Sequence, residues 1–205
     1  MGPAAGADFV RLFVDACAQH MRTMGEPVRD QAFPEHWLAQ VPVPDRSGAL
    51  ERADEGAHQP LVEVLHVARE VAAHLAAQGE TQVALMATEG TYRVRLYEQA
   101  LADAGLQCHL PWPDERALVM RGIYEGVKAG DLPLAQACFS EVALRLAERH
   151  GRIAIVMGCT EVPLGLQGVE AVQGLRLVDP ARVLASALAD RAYAGTSPFG
   201  SSAFT

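Results

Sequence analysis

Short apolar runs alternate along the chain with longer stretches of helical spacing. Val83-Ala84-Leu85-Met86-Ala87 and Arg152-Ile153-Ala154-Ile155-Val156-Met157 are dense in aliphatic side chains and bounded by polar residues or glycine. That is the pattern of buried strands. Leu106 to Leu110 and Leu175 to Asp179 are shorter runs of the same kind, closed by Pro111 and Pro180. Residues 36–43 fit another short strand, which Pro42 and Pro44 confine to an edge or to its end. Helical spacing places Phe9, Leu12, Phe13, Ala16 and His20 on one face of Asp8–Met24. It also places Leu61, Val64, Leu65, Ala68, Val71, Ala72 and Leu75 on one side of Leu61–Gln78. Further helices are expected over Tyr92–Ala104, 115–128, Leu134–His150 and Ala181–Tyr193, with Gly79, Gly105 and Gly130 as stops. Residues 45–56 read as a polar loop, and the Ser/Gly/Pro-rich segment 195–205 as a flexible tail.

Strands alternating with helices of this length specify an α/β fold with a mostly parallel sheet. Ligands of such sheets sit at the carboxyl ends of the strands. Two polar turns occupy such ends, Thr88-Glu89-Gly90-Thr91 and Gly158-Cys159-Thr160-Glu161. No Gly-x-Gly-x-x-Gly or Walker loop is present, so nucleotide binding has no support in the sequence.

Composition narrows the picture. The 205 residues are half hydrophobic, enough for one large domain or two small ones. A net charge of −8 argues against a nucleic-acid partner. The four cysteines, at 17, 108, 138 and 159, show no metal or CxxC spacing and are expected as free thiols. The seven histidines are scattered, and no metal site is expected. With no leader-like start and no run of 18 apolar residues, a cytoplasmic protein without a membrane partner is expected.

Cys159 is the leading candidate for chemistry. A helix starting near Thr160 would aim backbone N–H groups at the thiol and raise its thiolate fraction. The competing reading is a small buried hydrophobe. Thr88 and Thr91 offer hydroxyls to a second wall of the same pocket, and Gly90 lets backbone approach a ligand; helix capping is the alternative. Arg46 could hold a carboxylate through its guanidinium fork or be a surface cation. Lys128 could do the same or pair with a helix C-terminus. Cys17, Cys108 and Cys138 read as packing, and Trp37 and Trp112 as core or rim residues.

With these motifs in view, the chain resembles the aspartate/glutamate racemase family, the cofactor-independent amino-acid racemases with their decarboxylase and isomerase relatives. Gly158-Cys159-Thr160-Glu161-Val162-Pro163-Leu164 is the most specific match. Leu85 to Thr91 with Tyr97, Pro44-Asp45-Arg46-Ser47, Ile123-Tyr124, Val127-Lys128-Ala129-Gly130 and Asp179-Pro180 also fit. The resemblance implies two similar α/β lobes with mostly parallel sheets. A shortened first lobe would span 1–78, with helix 181–193 packing back on it, and the second lobe 79–178. It implies proton transfer at an amino-acid α-carbon, with neither pyridoxal phosphate nor a metal. Cys159 would be the acid/base. Arg46 and Lys128 would hold substrate carboxylates, and Thr88, Gly90, Thr91 and Thr160 would line the pocket. Glu161 would orient the thiol or the substrate amine.

The family's first cysteine sits in a motif of the type Pro-Cys-Asn-Thr-Ala-His, which these residues do not show; the resemblance also leads to the expectation that the family's first strand is missing. An aspartate/glutamate racemase, impaired or one-sided, is therefore expected. The alternatives are a single-cysteine decarboxylase or isomerase of a dicarboxylate on the same scaffold, or a non-catalytic truncated homologue. The partner would be a small amino acid or dicarboxylate. The shortened lobe would leave apolar faces that a homodimer covers.

Overall fold

The structure, a computed structural model, describes residues 3–37 and 65–194. These fall into two compact units, 3–37 with 181–194, and 65–180. The expected strand over 36–43 begins in non-strand backbone at 36–37 and otherwise lies outside the described residues, as do Arg46, the loop 45–56 and the tail 195–205.

The smaller unit pairs α1 (Pro3–Thr23) with α8 (Pro180–Ala194) from Ala181 onward. Leu12, Phe13 and Cys17 of α1 form one apolar cluster with Ala185 and Ala189 of α8. Small residues on α8 let the two helix backbones approach, so the predicted face of α1 is buried against a face poor in bulk. His20 stacks on Tyr193, with ring centroids 4.5 Å apart, and its Nδ1 lies 3.1 Å from Asp190 Oδ1. The Tyr193 hydroxyl donates to Ala32 O at 3.1 Å. Trp37 is 90 % exposed and Trp112, in the larger unit, 58 %, so neither belongs to a core.

The larger unit is built on four parallel strands: β1 (Gln82–Met86), β2 (Gln107–His109), β3 (Ala154–Met157) and β4 (Arg176–Val178). Their order across the sheet is β2-β1-β3-β4. The chain thus moves outward from β1 to β2, then returns to the other side of β1, where Ala84 pairs with Ile155 and Met86 with Met157. β3 and, after Gln82, β1 are apolar because both of their faces are covered. Ala84, Met86, Ile155 and Met157 join Val119, Ile123, Phe139 and Leu146 in one core. By alternation Val83 and Leu85 face the other side.

The remaining helices are α2 (Val67–Ala77), α3 (Glu89–Val94), α4 (Leu96–Asp103), α5 (Pro113–Arg121), α6 (Leu132–His150) and α7 (Glu161–Leu166). Of these, α2 packs on α4 within the larger unit. At the start of α5, Glu115 is fully buried, accepts Trp112 N at 2.7 Å, and forms a two-pronged pair with Arg149 of α6 at 2.7 Å for each prong. Those donors hold its carboxyl below the usual range despite burial. Leaving that charge buried without Arg149 would cost about 3–5 kcal/mol.

Two expected helices are interrupted. The helix over Tyr92–Ala104 breaks at Arg95, which takes φ 52 and ψ 35 and separates α3 from α4. The helix over 115–128 ends at Arg121; Gly122–Gly126 then form a π turn and Val127–Ala129 a 3-10 turn. Packing is the cause. A Cβ on Gly122 would lie 2.5 Å from Phe139 Cε1, and one on Gly126 2.7 Å from the Ala135 Cβ. The backbone widens to fit against α6, and the wider turn re-aims the residues after it.

Candidate active site

β1 and β3 are adjacent, and the connections leaving them run in opposite directions across the sheet. Their carboxyl ends therefore form the topological switch point where α/β sheets bind ligands. The two polar turns stand there side by side, and Gly158 N donates to Met86 O at 2.7 Å, closing the gap between them. Gly158 must be glycine, because a Cβ there would lie 2.8 Å from Leu85 Cδ1 and 3.3 Å from Tyr97 Cε2.

In the second turn, Cys159 Sγ donates to Glu161 Oε2 at 2.9 Å, and Thr160 Oγ1 donates to the same oxygen at 3.0 Å. Lys128 Nζ lies 4.0 Å from the other carboxylate oxygen, Oε1, and 4.4 Å from the centroid of the Tyr124 ring. Lys128 is carried on the 3-10 turn that follows the π turn. Glu161 is 19 % exposed and Lys128 48 %, so the carboxylate is sheltered while the cation meets solvent. The structure thus brings Cys159, Thr160, Glu161 and Lys128 together around one carboxylate.

The expected rise in thiolate fraction meets a stronger opposing effect. Burial and the Glu161 carboxylate push the Cys159 thiol up to about 12, against the weaker opposing pull of the Glu161 N–H and Lys128. The α7 N-terminus does follow Cys159, with Val162 N bonded to Cys159 O at 3.1 Å. A full negative charge accepting the thiol proton outweighs those partial charges. Burial would raise the Glu161 carboxyl, but the donors Cys159 and Thr160 prevail and hold it below its ordinary value. The resting pair is therefore a thiol on a carboxylate.

The first turn is spent differently. Thr88 is the N-cap of α3: its Oγ1 accepts Thr91 N at 3.3 Å and lies 3.0 Å from Thr91 Oγ1. Gly90 is exposed, and a Cβ there would meet only Thr88 Oγ1, at 3.8 Å. These three residues border the switch point, with the threonine hydroxyls directed to each other. Arg46 lies outside the described residues.

Tyr97 and Asp179 were not among the candidate site residues and belong to the same region. Tyr97 is buried on α4; burial raises its hydroxyl, and Cys159 once ionised, together with the Asp179 charge, raises it further. Asp179 follows β4, a third strand carboxyl end. The strand-end rule that selected Cys159 would have selected Asp179 as well. Cys17 and Cys138 are buried as expected, whereas Cys108 is only half-buried on the edge strand β2.

The fold and site define a parallel α/β unit carrying a protonated thiol, a carboxylate and a cation at its switch point. Residues 45–188 match the Asp/Glu/Hydantoin racemase family model, and the chain belongs to that family. It is 37% identical over 87 residues to an uncharacterized protein in the pnlA 3′ region of Pectobacterium carotovorum subsp. carotovorum, covering 42% of this chain and 57% of that one. A crystal structure of a candidate Asp/Glu racemase from Yersinia pestis is 27% identical, with a TM-score of 0.57, covering 64% of this chain and 57% of that chain. The chain thus spans little more than half the length of these two relatives. Picrophilus torridus aspartate racemase shares the fold, with a TM-score of 0.66 at 21% identity over 94% of this chain and 91% of that one. No helix among the described residues is long and apolar enough to cross a membrane.

Proposed function

We propose that the protein transfers a proton at the α-carbon of an acidic amino acid, with Cys159 as the proton carrier and without a cofactor. The observation that supports this most strongly is the Cys159–Glu161 hydrogen bond of 2.9 Å at the switch point, in a chain of the racemase family. The resting thiol is an acid. It gives its proton to a carbanionic α-carbon on the face it meets, and the S–H bond breaks as the C–H bond forms. The resulting thiolate is stabilised by Lys128 and the Glu161 N–H, both of which favour its charged form. In the reverse direction the thiolate takes the α-proton. Lys128 and Arg46 hold substrate carboxylates, and Glu161 fixes the thiol.

With Cys159 alone as proton carrier, the α-proton leaves to the thiolate and returns from the thiol on the same face, so the reaction is one-sided; inversion requires a second base on the opposite face. The protonated resting thiol favours a second reading. Decarboxylation of a dicarboxylate generates its carbanion without a base and needs only a proton donor.

Incubation of L- and D-aspartate and L- and D-glutamate with the protein in deuterium oxide tests the first reading. Deuterium is expected at the α-carbon of at least one of them, and Cys159→Ser is expected to abolish it. Carbon dioxide release from a malonate-type acid, without amino-acid exchange, would select the second reading. Neither reaction would overturn both.

A further inference from the structure

On the far side of β1 from Cys159, an open cleft of about 540 Å³ lies between α4, the end of β2 and the start of α5. Its volume is in the range of small-molecule sites. It shares none of its lining with the Cys159 cluster, since β2 and β3 flank β1 on opposite sides, two strand spacings or about 9.6 Å apart.

Three charged residues shape it. Arg95 lines it from the left-handed conformation that breaks the helix, a backbone state costly for a residue with a Cβ. Such outliers concentrate where the fold must present a particular side chain. Arg116 lies over the Tyr92 ring at 4.7 Å and gives its Nε to Pro111 O at 2.9 Å, and no other partner among the described residues takes its terminal nitrogens. The Tyr92 wall is itself fixed, because its hydroxyl accepts Ala87 N at 2.7 Å and donates to Leu85 O at 3.1 Å. The third is Glu98, whose Oε2 is buried and has no hydrogen-bond partner among the described residues. A buried carboxylate oxygen without a donor is unfavourable, and a ligand supplying one removes the penalty. Cys108 and Gln107 of the edge strand line the same cleft.

We propose that this cleft is a second binding site, for an amino dicarboxylate: its ammonium pairs with the Glu98 carboxylate while its carboxylates take the Arg95 and Arg116 guanidiniums. Charge supports the class. Two arginines and one glutamate leave the cleft at +1, which an amino dicarboxylate of net charge −1 balances, and the planar forks of arginine suit carboxylates. A simple anion would leave Glu98 unsatisfied, and a simple amine would leave both guanidiniums so. The site is independent of the reaction at Cys159.

The test is a titration of the full-length Cys159→Ser chain with L-glutamate and with L-aspartate, followed by amide NMR. Saturable shifts at Gln107 and Cys108 are expected for at least one of them. Glu98→Gln and Arg95→Gly are each expected to weaken binding at least tenfold. Arg95→Gly is the variant that protects the test from misfolding, because glycine adopts the left-handed backbone without strain. Inorganic phosphate is expected to bind at least tenfold more weakly than the amino acid. No saturable shift at Gln107 and Cys108, shifts confined to Thr88 and Gly158–Glu161, undiminished binding by Arg95→Gly, or phosphate binding as tightly would each overturn the proposal.

Discussion

The two polar turns at the switch point start from similar sequence material and end in different states. Both follow an apolar strand, both carry a threonine and a glutamate, and both lead into a six-residue helix. In Thr88–Thr91 the polar atoms satisfy one another: one threonine caps the helix through the other's N–H, and the two hydroxyls meet. In Gly158–Glu161 they converge on a single carboxylate oxygen, which receives both the thiol and the Thr160 hydroxyl. The first arrangement stabilises a helix end. The second stores a proton beside a charge, in a sheltered place with a lysine at its edge. A strand-end turn therefore becomes reactive through where its polar atoms point, and having them is not sufficient.

Four substitutions probe that contrast. Cys159→Ser has the largest expected effect, a loss of about a thousandfold in turnover with the fold retained, because a serine hydroxyl is a far weaker acid. Gly158→Ala comes next. Its Cβ would intrude on Leu85 and Tyr97, costing about 1–3 kcal/mol in urea denaturation and lowering activity through displacement of Cys159. Glu161→Gln removes a charge that holds the thiol proton, so the Cys159 pKa falls while burial keeps it above that of an ordinary thiol. Alkylation of Cys159 by iodoacetamide at pH 8 is then expected to accelerate about tenfold, the equivalent of one pKa unit. Thr88→Ala has the smallest effect: loss of the cap costs about 1 kcal/mol of stability and changes turnover by less than about tenfold. If Thr88→Ala abolished turnover as Cys159→Ser does, the two turns would not differ in the way described.

Much of this frame was legible in the residues, for physical reasons that also mark where legibility ended. β1 and β3 announced themselves because buried parallel strands need aliphatic side chains on both faces. The strand-end rule then pointed to Cys159, and glycine stops placed most helix ends correctly. Arg95 carried no such sign, since an arginine in left-handed backbone is imposed by its surroundings. The π turn was equally hidden. Gly122 and Gly126 stand four apart, but their meaning lies in Phe139 and Ala135 of another helix. The thiolate expectation weighed the helix N-terminus and left out the carboxylate two residues ahead, although Cys-x-Glu at a strand end was visible. Whether a glutamate at that spacing turns back to the thiol or out to solvent is decided by side-chain packing.

The central claim is that Cys159 rests as a thiol held by Glu161, and the alkylation of Cys159 as a function of pH tests it most directly. The rate at the Cys159 peptide, followed by mass spectrometry with iodoacetamide, should still be rising at pH 10, in keeping with a thiol pushed up to about 12. A plateau reached by about pH 10, as an ordinary thiol with a pKa of about 8.5 would give, would contradict the account.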